Sequence, residues 1–136
     1  MGYALTTTVD RPYDTVLPEV RAALTDQGFG VLSEIDLQAT MKAKMDTDIP
    51  SQVILGACRP PLALAALLAE PSIGLLLPCN IVVRSTGEQT TVVEAVDPQT
   101  MVSITGTSAL QEIADDATSR LNAALARLAG SAVKRA

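Results

Sequence analysis

The segment from Val53 to Val83 holds the densest run of apolar residues in the chain and both of its cysteines, Cys58 and Cys79. Its length raises the question of a membrane span, but a proline and a glycine interrupt the run near its centre, at Pro71 and Gly74. A helix that crosses a bilayer needs about 20 mainly apolar residues in one continuous rod. The segment therefore predicts core elements of a globular fold, and we expect no membrane contact.

Each cysteine lies where a predicted strand meets another element. The aliphatic residues 53–57 predict a strand that ends near Cys58, and the two prolines at positions 60 and 61 suit the first turn of a helix. The helix is apolar all round, which predicts that it is buried, and it ends at Glu70 because the next residue is proline. An extended return then leads through Pro78 and Cys79 into a second strand.

The rest of the chain predicts strands and helices in alternation around this segment. Residues 4–9, 29–35, 81–83 and 91–96 have strand patterns. Helices are expected from 15 to 27, from Asp36 as a capping residue to 45, and from Ser108, which forms a capping box with Gln111, to 129, with a short helix or turn from 99 to 104. We therefore predict an α+β fold: a mostly antiparallel sheet of about five strands with helices packed chiefly on one face. A length of 136 residues suits one domain, here residues 1–130, with a frayed tail at 131–136.

The charge balance excludes several kinds of partner. The chain has 10 basic and 15 acidic residues and a formal net charge of -5, so it lacks the basic stripe of a nucleic-acid surface. Phe29, Tyr3 and Tyr13 are its only aromatic residues, which leaves little for base stacking. No secretion signal is recognisable at the start, so we expect a cytoplasmic location, where cysteines normally stay reduced.

Six motifs together resemble a known family, the domain-of-unknown-function family 302, over roughly Tyr3 to Leu128. They are Gly28-Phe29-Gly30-Val31, Glu34-Ile35-Asp36, Ile54-Leu55-Gly56-Ala57-Cys58 with Pro60, Glu70-Pro71, Gly74-Leu75-Leu76-Leu77-Pro78-Cys79-Asn80 and Asp97-Pro98. The resemblance implies a compact α+β fold that forms dimers, and it supplies no reaction. The family pattern has asparagine after the first cysteine, where this chain has Arg59.

The chain contains no histidine. This removes the usual general base, the nucleophile arrangements that depend on it and the commonest zinc ligand. No catalytic residue can be named, and we lean against an enzyme.

The two cysteines are the remaining candidates for a reactive or metal-binding role. A joint role requires that their side chains lie close together. The predicted helix rises only ~14 Å, whereas the eight residues after it can span ~26 Å when extended, so the chain can return to its starting end. We predict that Cys58 and Cys79 lie at the same end of two antiparallel strands. Three interpretations stay open: a thiophilic metal site for copper(I) or zinc, a redox pair, and simple packing.

The sequence hypothesis is a small ligand-binding or soft-metal-binding module that forms a homodimer. We expect Cys58 and Cys79 to be the metal ligands. Asn80 could orient a thiolate or a ligand through its side-chain hydrogen bonds. The residues expected to line the binding site are Gly56, Ala57, Pro60, Pro78 and Asn80. The alternatives are a thiol redox protein and a purely structural homodimer with buried cysteines.

Overall fold

The structure is a computed structural model that describes residues 2–129. Its strands are β1 (Ala4–Val9), β2 (Gly30–Asp36), β3 (Gln52–Cys58), β4 (Cys79–Gly87) and β5 (Thr90–Val96). Its helices are α1 (Tyr13–Asp26), α2 (Leu37–Met45), α3 (Pro60–Ala69), α4 (Gln99–Thr105) and α5 (Gln111–Ala129), with 3₁₀ turns at Pro71–Leu76 and Ser108–Leu110. The predicted tail at 131–136 lies outside the described residues.

The five strands form one sheet in the order β1-β5-β4-β3-β2, and every neighbouring pair is antiparallel. β4 is central, joined to β5 by a tight hairpin and paired on its other side with β3. The α+β prediction, with five antiparallel strands and associated helices, is confirmed.

One face of the sheet carries the main core. Apolar side chains from β3, β4 and β5 alternate with residues that face the opposite side, as the two-residue period of a strand requires. They pack against the apolar stripes of α1 and α5. The largest fully buried side chains of this cluster are Val16, Val20, Val53, Leu55, Ile81, Val83, Val93 and Leu121.

A second, smaller core forms where the segment between the cysteines meets the C-terminal helices. It joins Ala66 of α3 and Ile73 of the following 3₁₀ turn to Met101, Leu110 and Ala114. The segment after Ile73 was predicted to be extended, but the structure continues the 3₁₀ turn to Leu76.

Helix α3 begins and ends as the sequence predicts, but its burial does not follow the prediction. Prolines occupy its first positions, and the carbonyl of Arg59 accepts hydrogen bonds from the backbone nitrogens of Leu62 and Ala63, each at 3.0 Å. Only Ala66 is buried, and Leu68 is 78% exposed. The prediction of a buried helix was wrong, because too few neighbouring elements are available to cover a helix that is apolar on every side.

No helix within residues 2–129 combines the length and the apolar character that crossing a membrane would require.

Candidate functional site

A small cavity of about 30 Å³ lies between the two hydrophobic cores, at the ends of β3 and β4. One wall is the end of the sheet, and the others come from α3, α4 and α5. The cavity is mostly apolar, and alanine at several positions leaves it open. Its lining consists of Phe29, Ala57, Cys58, Arg59, Leu62, Ala63, Ala66, Leu77, Pro78, Cys79, Met101, Ile113 and Ala117.

Both cysteines line this cavity, yet they are not a joined pair. Ala57 pairs with Cys79 across β3 and β4, so the two cysteines lie at the same end of antiparallel strands, as the chain-length argument predicted. Successive residues of a strand face opposite sides, so Cys79 shares its face with Ala57 rather than with Cys58. Both thiols are free, and they are not near each other.

The environment of Cys79 keeps its thiol protonated. Burial raises the pKa of Cys79 to about 11, and a weaker electrostatic effect of Cys58 acts in the same direction. Because a thiolate is the form that binds metals and attacks disulfides, Cys79 has little of the reactive form at neutral pH. It behaves there as a small, weakly polar part of the cavity wall.

The described residues contain no group of three or more histidine, cysteine, aspartate or glutamate side chains that could hold a metal ion. The assignment of Cys58 and Cys79 as metal ligands therefore stays a prediction.

The five residues expected to line a binding site fall into two groups. Ala57 and Pro78 line the cavity with the cysteines. Gly56 and Asn80 face each other across β3 and β4 one residue further along, on the opposite side of the sheet. Pro60 is exposed at the start of α3.

Gly56 has a steric role that explains why no larger residue fits there. A Cβ atom at this position would lie 2.7 Å from Cγ of Pro78 and would also collide with Oγ of Ser33. The missing side chain therefore lets Pro78 pack closely on β3, and Pro78 in turn forms part of the cavity wall. Asn80 instead lies in a groove on the open face of the sheet, with Arg84 and Glu94.

Among the described residues that line the cavity, Arg59 is the only one besides the cysteines with an ionisable side chain. Its side chain lies across Gly28, so that a Cβ atom there would be 2.9 Å from Nε of Arg59. Gly28 has a φ of 85°, which glycine adopts at no steric cost. Nε of Arg59 is buried and has no hydrogen-bond partner among residues 2–129.

Sequence reasoning missed the far wall of the cavity, which Met101, Ile113 and Ala117 contribute. The helical periodicity of α5 does mark Ile113 and Ala117 as facing inward. It does not show that they face the ends of β3 and β4, because that contact joins elements far apart in the chain.

The architecture and this cavity define a class of small α+β domain whose five-stranded antiparallel sheet carries its helices chiefly on one face. The chain belongs to the family described as Domain of unknown function DUF302, whose profile matches residues 5–128. The suspected resemblance is thereby confirmed.

A solved relative has the same fold. The chain is similar to the crystal structure of an uncharacterized conserved protein DUF302 from Bacillus stearothermophilus, with 29% identity and a TM-score of 0.85. The match covers 94% of this chain and 99% of that one. No curated protein matches the chain.

Proposed function

We propose that this protein is a binding module for one small molecule, which it holds in the cavity at the ends of β3 and β4. The observation that supports the proposal is the cavity itself, whose lining combines a largely apolar wall with Cys79 and Arg59. Protein interiors are close-packed and have few voids larger than a water molecule. Alanine at positions 63, 66 and 117, on two different helices, is what leaves this space unfilled.

The size of the cavity limits its ligand. A volume of about 30 Å³ corresponds to roughly two water-sized sites, so only a group of two or three heavy atoms fits without movement of the walls. Leu62 is only partly buried, so the α3 side of the cavity can adjust by rotation of this side chain. We therefore expect a ligand whose buried part is a short alkyl group.

The environment of Cys79 favours the binding of a small ligand over metal binding or thiol redox chemistry. Metal binding by Cys58 and Cys79, with copper(I) or zinc, and thiol redox chemistry both need a thiolate, which burial disfavours at Cys79. An alkyl group can pack against the neutral thiol, so its binding requires no thiolate. The metal and redox interpretations stay predictions, and the small-ligand proposal does not depend on them.

The test uses two neutral probes, dissolved xenon and propionamide, with NMR detection of the methyl groups of Met101 and Ile113. Both side chains line the cavity, so a bound probe shifts their resonances. Ala63→Leu fills the space from α3, and Ala65→Leu adds the same atoms to a partly buried position of the same helix that does not line the cavity.

We expect saturable shifts in the wild type and in Ala65→Leu, and at least tenfold weaker binding in Ala63→Leu. The proposal fails if neither a neutral probe nor a small anionic one shifts these methyl groups, or if Ala63→Leu binds like the wild type.

We further propose that the module is a cytoplasmic homodimer that associates through α3. Leu64, Leu67 and Leu68 are 59%, 42% and 78% exposed and lie at helical neighbour positions on α3. Exposed apolar patches of this kind commonly mark protein interfaces. Two free cysteines are consistent with a reducing compartment such as the cytoplasm.

A further inference from the structure

We propose that the ligand of this cavity is a short-chain carboxylate, whose anionic end binds the guanidinium group of Arg59 while its alkyl end enters the cavity. This inference rests on the proposed binding function and adds the chemical class of the ligand. Three observations support it: the ion pairs formed by the other arginines, the position of the Arg59 side chain, and the apolar lining of the cavity.

Arg59 differs from every other arginine within residues 2–129. That range contains six arginines, and the other five each form an ion pair with a carboxylate. Arg59 has no ion pair and no side-chain hydrogen bond with any described residue, in a chain whose acidic residues outnumber its basic ones. The five pairs are Arg11 with Glu19, Arg21 with Glu34, Arg84 with Glu94, Arg120 with Asp116 and Arg127 with Asp26.

A nearby carboxylate is already engaged elsewhere. Asp116 accepts a hydrogen bond from Nε of Arg120, and Arg120 also donates to the carbonyl of Gln27 at 3.2 Å, next to the glycine that Arg59 covers. The turn at Gln27 and Gly28 therefore has two guanidinium groups beside it. Asp116 pairs with Arg120, and the adjacent Asp26 pairs with Arg127. An anion from outside the described chain is the missing counter-charge for Arg59.

Nε of Arg59 is buried without a partner, as is Nε of Arg11, but Arg11 forms an ion pair with Glu19 and Arg59 forms none with a described residue. A guanidinium group cannot lose its proton to escape burial, and a buried donor without a partner is costly to the fold. Such groups are rare and are often explained by a bound ion or water. Because the side chain is held across Gly28, its donors are positioned before a ligand arrives, which lowers the entropic cost of binding.

The donors available favour a carboxylate held by the side chain alone. Arginine forms paired, parallel hydrogen bonds with the two oxygens of a carboxylate. The start of α3 adds no free backbone donor, because Pro60 and Pro61 have no N–H and the next two backbone nitrogens already bond to the carbonyl of Arg59. Beyond the guanidinium the wall is apolar, which suits an alkyl chain of two or three carbons.

Propionate and propionamide provide the test, because they have nearly the same shape and differ in charge. Both are titrated at constant ionic strength into the wild type and into Arg59→Met, with the methyl resonances of Met101 and Ile113 as the readout. Arg21→Met is the matched control, since Arg21 pairs with Glu34 and does not line the cavity.

We expect propionate to bind the wild type at least tenfold more tightly than propionamide does. Arg59→Met should lose at least tenfold in affinity for propionate and keep its affinity for propionamide, while Arg21→Met should bind both like the wild type. If Arg59→Met does not fold, the comparison of the two probes on the wild type still decides.

Three results would overturn the inference: equal affinities for the two probes, undiminished propionate binding in Arg59→Met, or inorganic sulfate binding as tightly as propionate. If the neutral probes bind and propionate has no advantage, the inference fails and the binding function stands. If neither propionate nor any neutral probe shifts the cavity methyl groups, the binding function itself fails.

Discussion

Burial has different consequences for Cys79 and Arg59, two of the polar side chains that line the cavity. The thiol of Cys79 avoids the cost of a buried charge by keeping its proton, and its pKa rises to about 11. An arginine side chain cannot respond in this way, because a guanidinium group is not deprotonated in proteins. The cavity therefore pairs a neutral thiol with one fixed positive charge, a combination that suits an anion with an apolar end.

The raised pKa of Cys79 predicts a loss of stability in alkali. Between pH 9 and pH 11 the unfolded chain has released this thiol proton while the folded chain retains it, so the unfolded state binds fewer protons. The free energy of unfolding then falls as pH rises, and this group's contribution declines by about 2 to 3 kcal/mol across that window. Cys79→Ser removes the titrating group and should escape that part of the decline.

Urea unfolding of the wild type and Cys79→Ser at pH 8, 9, 10 and 11 checks this prediction. Other groups titrate in the same range in both proteins, so the informative quantity is the difference between the two free energies of unfolding. We expect the free energy of unfolding of the wild type to fall relative to that of Cys79→Ser as pH rises. A difference that stays constant from pH 8 to pH 11 would contradict the raised pKa.

At the scale of elements, local signals predicted the order of strands and helices because caps, prolines and periodicity act within a few residues. Asp36 illustrates this, since its carboxylate accepts a hydrogen bond from the backbone of Ala39 at 2.9 Å, as expected of a helix cap. Ser108 does not cap its helix as predicted. It opens a 3₁₀ turn without a side-chain cap, and the α-helix begins only at Gln111.

Relations between distant elements were harder to predict. Composition gave the apolar character of α3 but not its exposure, which depends on how many neighbours reach it. Chain length was enough to predict that Cys58 and Cys79 lie at the same end of the sheet. Their separation depends on the register of β3 and β4, which chain length does not determine. The contact of Met101 with the cavity joins elements that sequence spacing does not connect.

Helix α2 depends on its cap more than the other helices do, because none of its residues is buried. Asp36→Ala removes the hydrogen bond to Ala39, and the loss of such a cap costs about 1 kcal/mol. With no core packing to hold it, α2 should fray on its own. We expect faster amide hydrogen exchange in residues 39–45, unchanged exchange in α1 and α5, and a global free energy of unfolding within about 1 kcal/mol of the wild type.

Asp48→Ala is the matched control, since this exposed carboxylate lies after α2 and pairs with Lys42 of that helix but does not cap it. It should leave the exchange rates of α2 nearly unchanged, because exposed ion pairs contribute little. Equal acceleration in α1 and α5 after Asp36→Ala would show instead that α2 unfolds only with the whole domain.

At the scale of the whole molecule, the distribution of charge singles out one surface. The chain has a net charge of -5, so two copies repel each other over most of their surface. From Pro60 to Cys79 only Glu70 is charged, and its carboxylate accepts a hydrogen bond from the hydroxyl of Thr107 at 2.7 Å. The leucines of α3 therefore form a face on which two acidic copies can meet without opposing carboxylates.

The proposed homodimer makes a prediction about α3. In a symmetric contact, Leu64→Lys combined with Leu68→Lys would bring like charges together and bury them, at a cost of several kcal/mol. We expect the wild type to be a dimer at micromolar concentration in native mass spectrometry and light scattering, and the double variant to dissociate at least about 100-fold more readily. Both leucines are exposed, at 59% and 78%, so the fold of the variant should be unaffected.

Leu32→Lys controls for the general effect of an added charge on an exposed leucine, because Leu32 is 70% exposed but lies on β2. This variant should remain a dimer. A wild type that is monomeric at about 100 μM would exclude the homodimer, because a stable contact of the usual size persists at that concentration. A dimer that survives lysine at both α3 positions would place the interface elsewhere, with the open face of the sheet as the next surface to test.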